Sequence, residues 1–384
     1  MEKQIYLDNS ATTKPYTEAV AAATEVMVSQ WGNPSASYSF GERSKAVITT
    51  ARKQVAHALG SLSHEIYFTS GGTEADNLAI LGAVTAHNKL GKHVVTTAVE
   101  HSAVSKTVRN LRREHSCEVT YVPMDGGNLD INALEQAITD ETVLVSVMLV
   151  QNEVGTIFPL REISRVVKCK NPDTLLHGDA VQGFGKLPFM VDSLGVDLLS
   201  VSAHKIHGVS GCGALYVRDG VSLFARQFGG GQENGLRSGT ESVALISAFG
   251  EAVRITFENL ATNTAKMAAL RDYALTELLK NFPNVILNTD KSCAPHIVNF
   301  TLPGIDALET VQSLGEQGIY ISNGAACKSN ERSDDKRKQA LEYYGLTDAH
   351  VRSTPRVSFC AENTVADIDA TIEALGAEMC ADFR

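Results

Sequence analysis

The stretch "DLLSVSAHKIHG", from Asp197 to Gly208, joins an apolar run to a cluster of polar side chains. The apolar half is typical of a strand that is covered on both faces of a sheet. The second half places Lys205 between His204 and His207. A lysine is almost never fully buried without a partner, so Lys205 either lies at the surface or is held in place for chemistry.

Similar apolar runs alternate with helical patterns along the first two thirds of the chain. The strand candidates are "EIYFTS", "HVVTTA", "EVTYVP", "TVLVSVMLV", "TLLHGDAV", "DLLSVSA" and "GALYVR". Helical periodicity lies between most of them, at 75–89, 102–115, 131–138 and 160–169. This alternation predicts an α/β fold with a mainly parallel, seven-stranded sheet. The run "GALYVR" follows its predecessor too closely for a helical crossover, so we expect it to be antiparallel.

The last third of the chain predicts a second, smaller domain. A long helical stretch runs from about residue 241 to residue 281. After it come the strands "NVILNT" and "HIVNFTLP", a helix, the short strand "IYIS", a polar loop, a helix, the strand "STPRVSF" and a final helix. This order is typical of an α+β domain, and a chain of 384 residues exceeds one ordinary core.

The composition excludes several classes of function. The net charge is −10, from 34 Lys and Arg against 44 Asp and Glu, which opposes direct binding to nucleic acid or to an anionic membrane surface. We find no apolar run long enough to span a bilayer and no signal-peptide pattern. The seven cysteines occur singly and without metal-binding spacing, so we expect reduced thiols, a cytoplasmic location and no metal site.

Four strand ends carry residues suited to a ligand, and α/β sheets bind ligands at the carboxyl ends of their strands. "FTSGGTEADN" opens a helix at Gly72 and Thr73, which suits a phosphate but also a plain capped turn. "AVEHSAV" places His101 after a strand, either as a ligand contact or as a neighbour of a helix N-terminus. "LLHGDAVQ" ends in Asp179, whose carboxylate needs a partner if it is buried. The fourth strand end is that of Lys205.

Together these strand ends predict a site for pyridoxal 5'-phosphate. Lys205 can form a Schiff base with an aldehyde cofactor. Asp179 can pair with the pyridine nitrogen, and His101 can stack on the ring. The candidate phosphate ligands are Thr73, Ser202 and His204. The alternative interpretation of Lys205 is a surface lysine in a polar turn.

Two further candidates lie in the predicted small domain. "STPRVSF" places Arg356 on an otherwise small or apolar strand, where its guanidinium can bind a substrate carboxylate bidentately or form an ordinary ion pair. "ISNGAACKSN" places Cys327 shortly before Lys328 and Arg332, and nearby cations favour the thiolate. We interpret Cys327 as a nucleophile and the other six cysteines as small buried hydrophobic residues.

The chain resembles, almost end to end, the cysteine desulfurases of the NifS/IscS-like group within the class-V aminotransferase family. The matching motifs are "YLDNSATT", "WGNPSASYSFG", "FTSGGTEADNLAI", "AVEHSAV", "VQNEVGTI", "HGDAVQGFGKLP", "VDLLSVSAHKIHG", "GGGQENGLRSGTE", "SNGAAC" and "RVSF". The resemblance implies a fold-type-I homodimer with pyridoxal phosphate in its large domain. We expect that domain at 14–255 and the small domain at 256–384, completed by the N-terminal segment 1–13.

The resemblance also implies a role for each matching residue. Lys205 would carry the cofactor, Asp179 would bind the ring nitrogen, and His101 would stack on the ring and take part in catalysis. The remaining cofactor contacts would come from Gly72, Thr73, Asn152, Gln182, Ser202 and His204, with Thr240 reaching over from the other subunit. Arg356 and Asn152 would bind the substrate, and Cys327 would be the catalytic nucleophile.

The implied reaction converts L-cysteine to L-alanine and leaves a persulfide on Cys327. The sulfur then passes to an acceptor protein, such as an iron–sulfur scaffold or a thiolation enzyme, which the sequence does not specify. The chain departs from the usual family pattern at Ala203, His207, Val209, Asn234, Leu236, Pro355 and Cys360. The competing hypotheses are an aminotransferase or lyase with an inert Cys327, including a selenocysteine lyase, and a non-catalytic sulfur carrier or adaptor.

Overall fold

The computed structural model describes residues 4–323 and 340–381. The strands are β1 Ile5–Tyr6, β2 Ile66–Thr69, β3 His93–Thr97, β4 Glu118–Val122, β5 Met124–Asp125, β6 Asn128–Leu129, β7 Thr142–Met148, β8 Leu175–Asp179, β9 Leu198–Ser202, β10 Gly213–Val217, β11 Ile286–Leu287, β12 Ile297–Thr301, β13 Ile319–Tyr320 and β14 Arg356–Ser358. The helices are α1 Thr17–Ser29, α2 Ser39–Leu59, α3 Gly72–Ala86, α4 Ser102–Glu114, α5 Ile131–Ala137, α6 Leu160–Lys170, α7 Val191–Leu194, α8 Val243–Glu258, α9 Leu260–Asn281, α10 Ala307–Glu316, α11 Asp348–Arg352 and α12 Val365–Ala381.

Seven strands form the central sheet, in the order β2-β10-β9-β8-β7-β3-β4. Neighbouring strands are parallel except for β10, which is antiparallel to both β9 and β2. The predicted α/β fold and its one antiparallel strand are therefore confirmed. Because β2 and β9 run in the same direction, the carboxyl ends of β2, β3, β7, β8 and β9 all meet at one edge.

Both faces of the central sheet are buried. Along β7, Leu144 packs into the core on one face and Val145 into the core on the other. Leu198 and Leu199 of β9 divide in the same way. This alternation follows from the two-residue period of a strand, and it explains why these strands read as continuous apolar runs.

The predicted helical stretch 241–281 is two helices, α8 and α9, which meet at Asn259. The backbone leaves the helical region there, with φ −110° and ψ 7°. Phe249 of α8 packs into the core of the large sheet, whereas Leu270 of α9 packs into a separate core. The break therefore lets two adjacent helices serve different cores.

That separate core belongs to the second half of the chain. It lies against the three-stranded sheet β11-β12-β14 and includes Leu7 from the N-terminal segment. Strand β1 also pairs in parallel with β13, with Ile5 opposite Ile319. The exact domain boundaries stay a prediction. None of the described helices is both long and apolar enough to cross a bilayer.

Candidate active site

A cavity of about 570 Å³ opens at the carboxyl ends of the sheet strands. The predicted site residues that line it are Gly72, Thr73, His101, Asn152, Asp179, Gln182, Ser202, His204, Lys205 and Arg356. Their elements lie far apart in sequence, and the parallel strand directions bring their ends together. The sheet topology thus assembles in one place the residues that were predicted separately.

Lys205 lies in a short 3-10 turn, Ala203–Lys205, directly after β9. Its Nζ donates hydrogen bonds to the carbonyl oxygens of Ser10 and, at 2.7 Å, Ala11. Burial, together with the nearby Arg356 charge, lowers the pKa of Lys205 to about 8. The interpretation as a surface lysine in a polar turn does not describe this half-buried amine, which faces the cavity.

Asp179 is the last residue of β8 and is buried. Its Oδ1 accepts a hydrogen bond from the backbone N–H of Val181 at 2.9 Å. Burial raises the pKa of Asp179, and the nearby His101 and Lys205 oppose that rise. A buried carboxylate that lines a cavity suits a cationic partner such as a protonated pyridine nitrogen.

Asp76 of α3 is a site residue that the sequence reasoning missed. Its carboxylate, that of Asp179 and the ring of His101 have polar atoms that all lie within 4.8 Å of one another. Burial and the Asp179 charge raise the pKa of Asp76 well above its usual range, which favours its neutral form. The only sequence signal was an aspartate in the first turns of the helix, next to Asn77 and two positions after Glu74. This trio contains metal-binding residue types, and the absence of a metal stays a prediction.

His177 of β8 is fully buried beside Asp76. Its Nε2 lies 3.6 Å from Asp76 Oδ1, and its ring nitrogens contact the hydroxyls of Ser146 at 2.9 Å and Ser200 at 3.0 Å. Complete burial lowers the pKa of His177 to about 3, so the ring is neutral. The two carboxyl groups therefore receive no compensating positive charge from His177.

The N-terminus of α3 forms a cradle beside Ser202. A Cβ added to Gly72 would lie 2.7 Å from Val181 Cγ2, so a larger residue would crowd this wall. The hydroxyl of Ser202 is buried and has no hydrogen-bond partner within the described residues. A free hydroxyl beside the first amides of a helix fits a phosphate group.

His101 and His204 are both neutral at ordinary pH. His101 is the N-cap of α4, and its Nδ1 accepts a hydrogen bond from the Ala103 N–H at 3.2 Å. Burial, together with the Lys205 charge, lowers the pKa of both rings, to about 4 in His204. The ring of His101 remains accessible from the cavity, so it can serve as a helix cap and as a flat surface for a ligand.

Asn152 and Gln182 line the cavity, and their side-chain amide groups already form some hydrogen bonds within the protein. Gln182 Nε2 donates to the Ser10 carbonyl at 2.9 Å, and its Oε1 lies 3.3 Å from His296 Nε2. Asn152 Nδ2 donates to Glu153 Oε1 at 3.0 Å. Their predicted contacts with the cofactor ring and the substrate stay predictions.

Arg356 is buried at the cavity wall and is paired with two carboxylates. Its Nη2 donates to Asp8 Oδ1 at 2.9 Å, and its Nη1 donates to Glu153 Oε1 at 3.0 Å and to the Asn152 carbonyl at 2.8 Å. Its Nε has no acceptor among the described residues. The predicted ordinary ion pair is thus present, while the Nε–H and one Nη2–H remain for a further acceptor. Nothing in the local sequence pointed to Asp8 or Glu153 as partners.

Thr240 and Cys327 are not among the described residues that line this cavity. Thr240 is exposed, and its assignment to the other subunit's site stays a prediction. Cys327 lies outside the described residues, as does the charged segment "KSNERSDDKRK" at 328–338 that follows it.

This chain is similar to known proteins both in sequence and in fold. The aminotransferase class-V family matches residues 5–371. A cysteine desulfurase IscS from Clostridium botulinum is 39% identical over 379 residues, covering 98% of this chain and 94% of the relative. A solved NifS-like protein superposes with a TM-score of 0.92 at 32% identity, covering 99% of this chain and 100% of the other. A structure of SspA in complex with cysteine has a TM-score of 0.80 at 31% identity, covering 94% and 100%.

Proposed function

Because this chain belongs to the class-V aminotransferase family, we propose that it is a pyridoxal-phosphate-dependent cysteine desulfurase. The observation that carries the proposal is the single cavity that gathers Lys205, Asp179 and Arg356. The names of the relatives, and the neighbouring structure that holds cysteine, support L-cysteine as the substrate. The resemblance seen in the sequence motifs is confirmed at the level of the family.

When bound, pyridoxal phosphate supplies a covalent attachment point and an electron sink next to the substrate α-carbon. Lys205 would hold the cofactor through its Nζ and, once released, take the proton from Cα. Its pKa of about 8 favours that role, since a useful fraction of the amine is uncharged near neutral pH. Ser202 and the amides of Gly72 and Thr73 would hold the phosphate.

Asp179 would stabilise positive charge on the ring nitrogen, and the raised pKa of nearby Asp76 would limit the negative charge beside it. His101 would cover the ring face as a neutral imidazole. Arg356 would orient the substrate carboxylate through its unpartnered Nε–H and its remaining Nη2–H. These residues would hold the cofactor and orient the substrate, and Cys327 would carry out the reaction at the sulfur atom.

The thiolate of Cys327 would attack the sulfur atom of the bound cysteine. A sulfur–sulfur bond forms while the Cβ–S bond breaks, and the released electron pair remains on the substrate carbon skeleton. Protonation of that β-carbon, followed by return of a proton from Lys205 to Cα, gives L-alanine, and a persulfide remains on Cys327. An acceptor protein, such as an iron–sulfur scaffold or a thiolation enzyme, would then take the terminal sulfur.

The proposal is tested by incubating the purified protein with L-cysteine, quantifying alanine, and mapping persulfide by mass spectrometry. Cys327→Ser should keep its cofactor but lose most alanine formation, because a hydroxyl is a poor nucleophile toward sulfur. Cys169→Ser is the matched control, since Cys169 is an exposed free cysteine on α6 and the prediction that it is buried is wrong. Alanine formed at the parental rate by Cys327→Ser would instead support an aminotransferase or lyase with an inert cysteine.

The selenocysteine lyase and sulfur carrier hypotheses each have a distinct readout. A higher kcat/KM for selenocysteine than for cysteine would identify a selenocysteine lyase. A purified protein without a cofactor absorption band would favour a non-catalytic sulfur carrier or adaptor.

We further propose a homodimer, because Thr240 is exposed on the single chain and can enter a second subunit's site. The proposed cytoplasmic location is supported by five free cysteines in the described parts of the chain: Cys117, Cys169, Cys212, Cys293 and Cys360. The acidic net charge supports protein and small-molecule partners rather than nucleic acid or an anionic membrane.

A further inference from the structure

The segment 227–240, here called the glycine-rich loop, lies beside the cofactor cradle. Glu233, in the middle of the loop, forms a bidentate ion pair with Arg52 at 2.6 and 2.7 Å and also accepts from the Phe68 N–H. Glu233 and Asn234 have left-handed backbone conformations, with φ of 48° and 56°. Such conformations are costly for residues with side chains, so the ion pair holds the loop in one defined shape.

Arg237, in the second half of the loop, contacts helix α3. Its Nε donates to Glu74 Oε1 at 2.7 Å and its Nη2 donates to Oε2 at 3.3 Å. Both side chains are only about one-fifth to one-quarter exposed. Burial alone would raise the pKa of Glu74, but hydrogen bonds from Arg237 and Ser70 outweigh it and lower the pKa. Glu74 is therefore a carboxylate at neutral pH.

Glu74 lies inside the predicted phosphate cradle. It occupies the first turn of α3, directly after Gly72 and Thr73, and it lines the cavity. Its Oε2 accepts a hydrogen bond from the Ser70 N–H at 2.8 Å. The positive end of a helix favours an anion, and Glu74 already supplies one beside the place of the phosphate. Unless it is neutralised, this carboxylate would repel a phosphate dianion.

We propose that Arg237 is a positioning residue of the phosphate site, which neutralises Glu74 so that the cradle accepts a phosphorylated cofactor. The proposal rests on the proposed use of pyridoxal phosphate. It assigns to the glycine-rich loop a function within its own subunit, in addition to carrying Thr240 toward the other one. The Arg237–Glu74 ion pair holds the Glu74 carboxylate against the Ser70 N–H and neutralises its negative charge. The backbone amides at the start of α3 and the Ser202 hydroxyl can then bind the phosphate.

The test compares the dissociation constants of pyridoxal phosphate and pyridoxal, which lacks the phosphate, by absorbance titration of the cofactor-free protein. Arg237→Met should weaken binding of pyridoxal phosphate about 10-fold, because a partly buried carboxylate then faces the phosphate unpaired. Pyridoxal should bind with unchanged affinity. The double variant Arg237→Met/Glu74→Gln should recover most of the affinity for pyridoxal phosphate, since glutamine removes the charge and keeps an oxygen for the Ser70 N–H.

Arg254→Met is the matched control, because Arg254 pairs with Glu251 and Glu258 on the exposed face of α8. It should bind both cofactors as the parent does. Equal losses for pyridoxal phosphate and pyridoxal in Arg237→Met, or no recovery in the double variant, would overturn the proposal and assign Arg237 to loop structure alone. If the parent protein itself bound pyridoxal phosphate and pyridoxal equally well, there would be no phosphate site, and the proposed cofactor would be wrong as well. This outcome is seen in the parent protein, so it can be told apart from a failure that is confined to the Arg237 variants.

Discussion

At the scale of single residues, the lowered pKa of Lys205 predicts how its reaction with the cofactor depends on pH. Only the uncharged amine attacks an aldehyde, so the rate of covalent attachment should rise with pH and level off above about 8. An ordinary lysine would level off only above about 10. Stopped-flow absorbance of the cofactor-free protein mixed with pyridoxal phosphate measures this rate, and a rate that still climbs at pH 10 would contradict the assignment.

The same shift affects the stability of the cofactor-free protein. Burial, together with the Arg356 charge, lowers the pKa of Lys205 when the chain folds. Between pH 8 and the higher pKa that Lys205 has in the unfolded chain, the unfolded chain therefore binds more protons than the folded one. The contribution of this group to the free energy of unfolding therefore rises with pH across that window. Lys205→Met should flatten that part of the stability profile, measured by urea unfolding.

Arg356 predicts a test of substrate class. Arg356→Ala should weaken use of L-cysteine by about 2–5 kcal/mol in apparent binding, because the substrate carboxylate loses a buried charged partner. Arg356→Lys keeps the charge but loses the fork, so it should also impair kcat/KM for cysteine. Cysteamine, which lacks the carboxylate, should respond little in cofactor spectral titrations.

These variants also leave Asp8 and Glu153 without their Arg356 contacts, so their cofactor content and Tm must be measured alongside. Equal losses for cysteine and cysteamine would mean that Arg356 supports the fold and not the substrate carboxylate.

The sequence predicted the residues at strand ends but not their partners. Lys205 and Asp179 were recognisable because each ends an apolar run, a local signal. The contact between Arg356 and Asp8 spans 348 positions, and no local pattern encodes it. Asp76 was overlooked because a single aspartate in a helix has the same appearance whether its side chain is exposed or buried.

At the scale of elements, the start of α3 is the most constrained part of the site. Gly72→Ala should lower the affinity for pyridoxal phosphate about 10-fold or more, because its Cβ would meet Val181 2.7 Å away and displace the cradle. Gly315→Ala in α10 is the control, since no atom lies within 4 Å of its added Cβ. It should raise the free energy of unfolding by about 0.5–1 kcal/mol. Unchanged cofactor affinity in Gly72→Ala would remove this cradle from the phosphate site.

The secondary structure was predicted correctly where a single hydrophobic pattern extends along the whole element. The prediction was wrong where one predicted helix packs against two different cores. The strands of the central sheet are continuous apolar runs, and their positions agree with the structure. The break at Asn259 has no proline or glycine to mark it. It arises because α8 and α9 face different cores, and that information lies in tertiary packing and not in local propensity.

At the scale of the whole molecule, a set of exposed apolar side chains supports the proposed homodimer. They include Met27, Val28, Trp31, Tyr38 and Phe228, of which Phe228 is 75% exposed. Light scattering should give twice the mass of one chain, because these side chains and Thr240 are expected to be covered by a second copy. Thr240→Val should weaken pyridoxal phosphate binding and leave the mass unchanged. A fully active monomer would rule out a site shared between subunits.

The N-terminal segment has a consequence for the order of events during synthesis. The Ser10 N–H donates to the Ser358 hydroxyl across 348 positions, and the Ser10 carbonyl accepts from Lys205 and Gln182 in the cavity. At a translation rate of about 5–20 residues per second, Ser358 is added roughly 20–70 seconds after Ser10. A nascent chain that has already folded its central sheet therefore lacks one wall of the cavity. Stable capture of the cofactor should be among the last steps in the maturation of each chain.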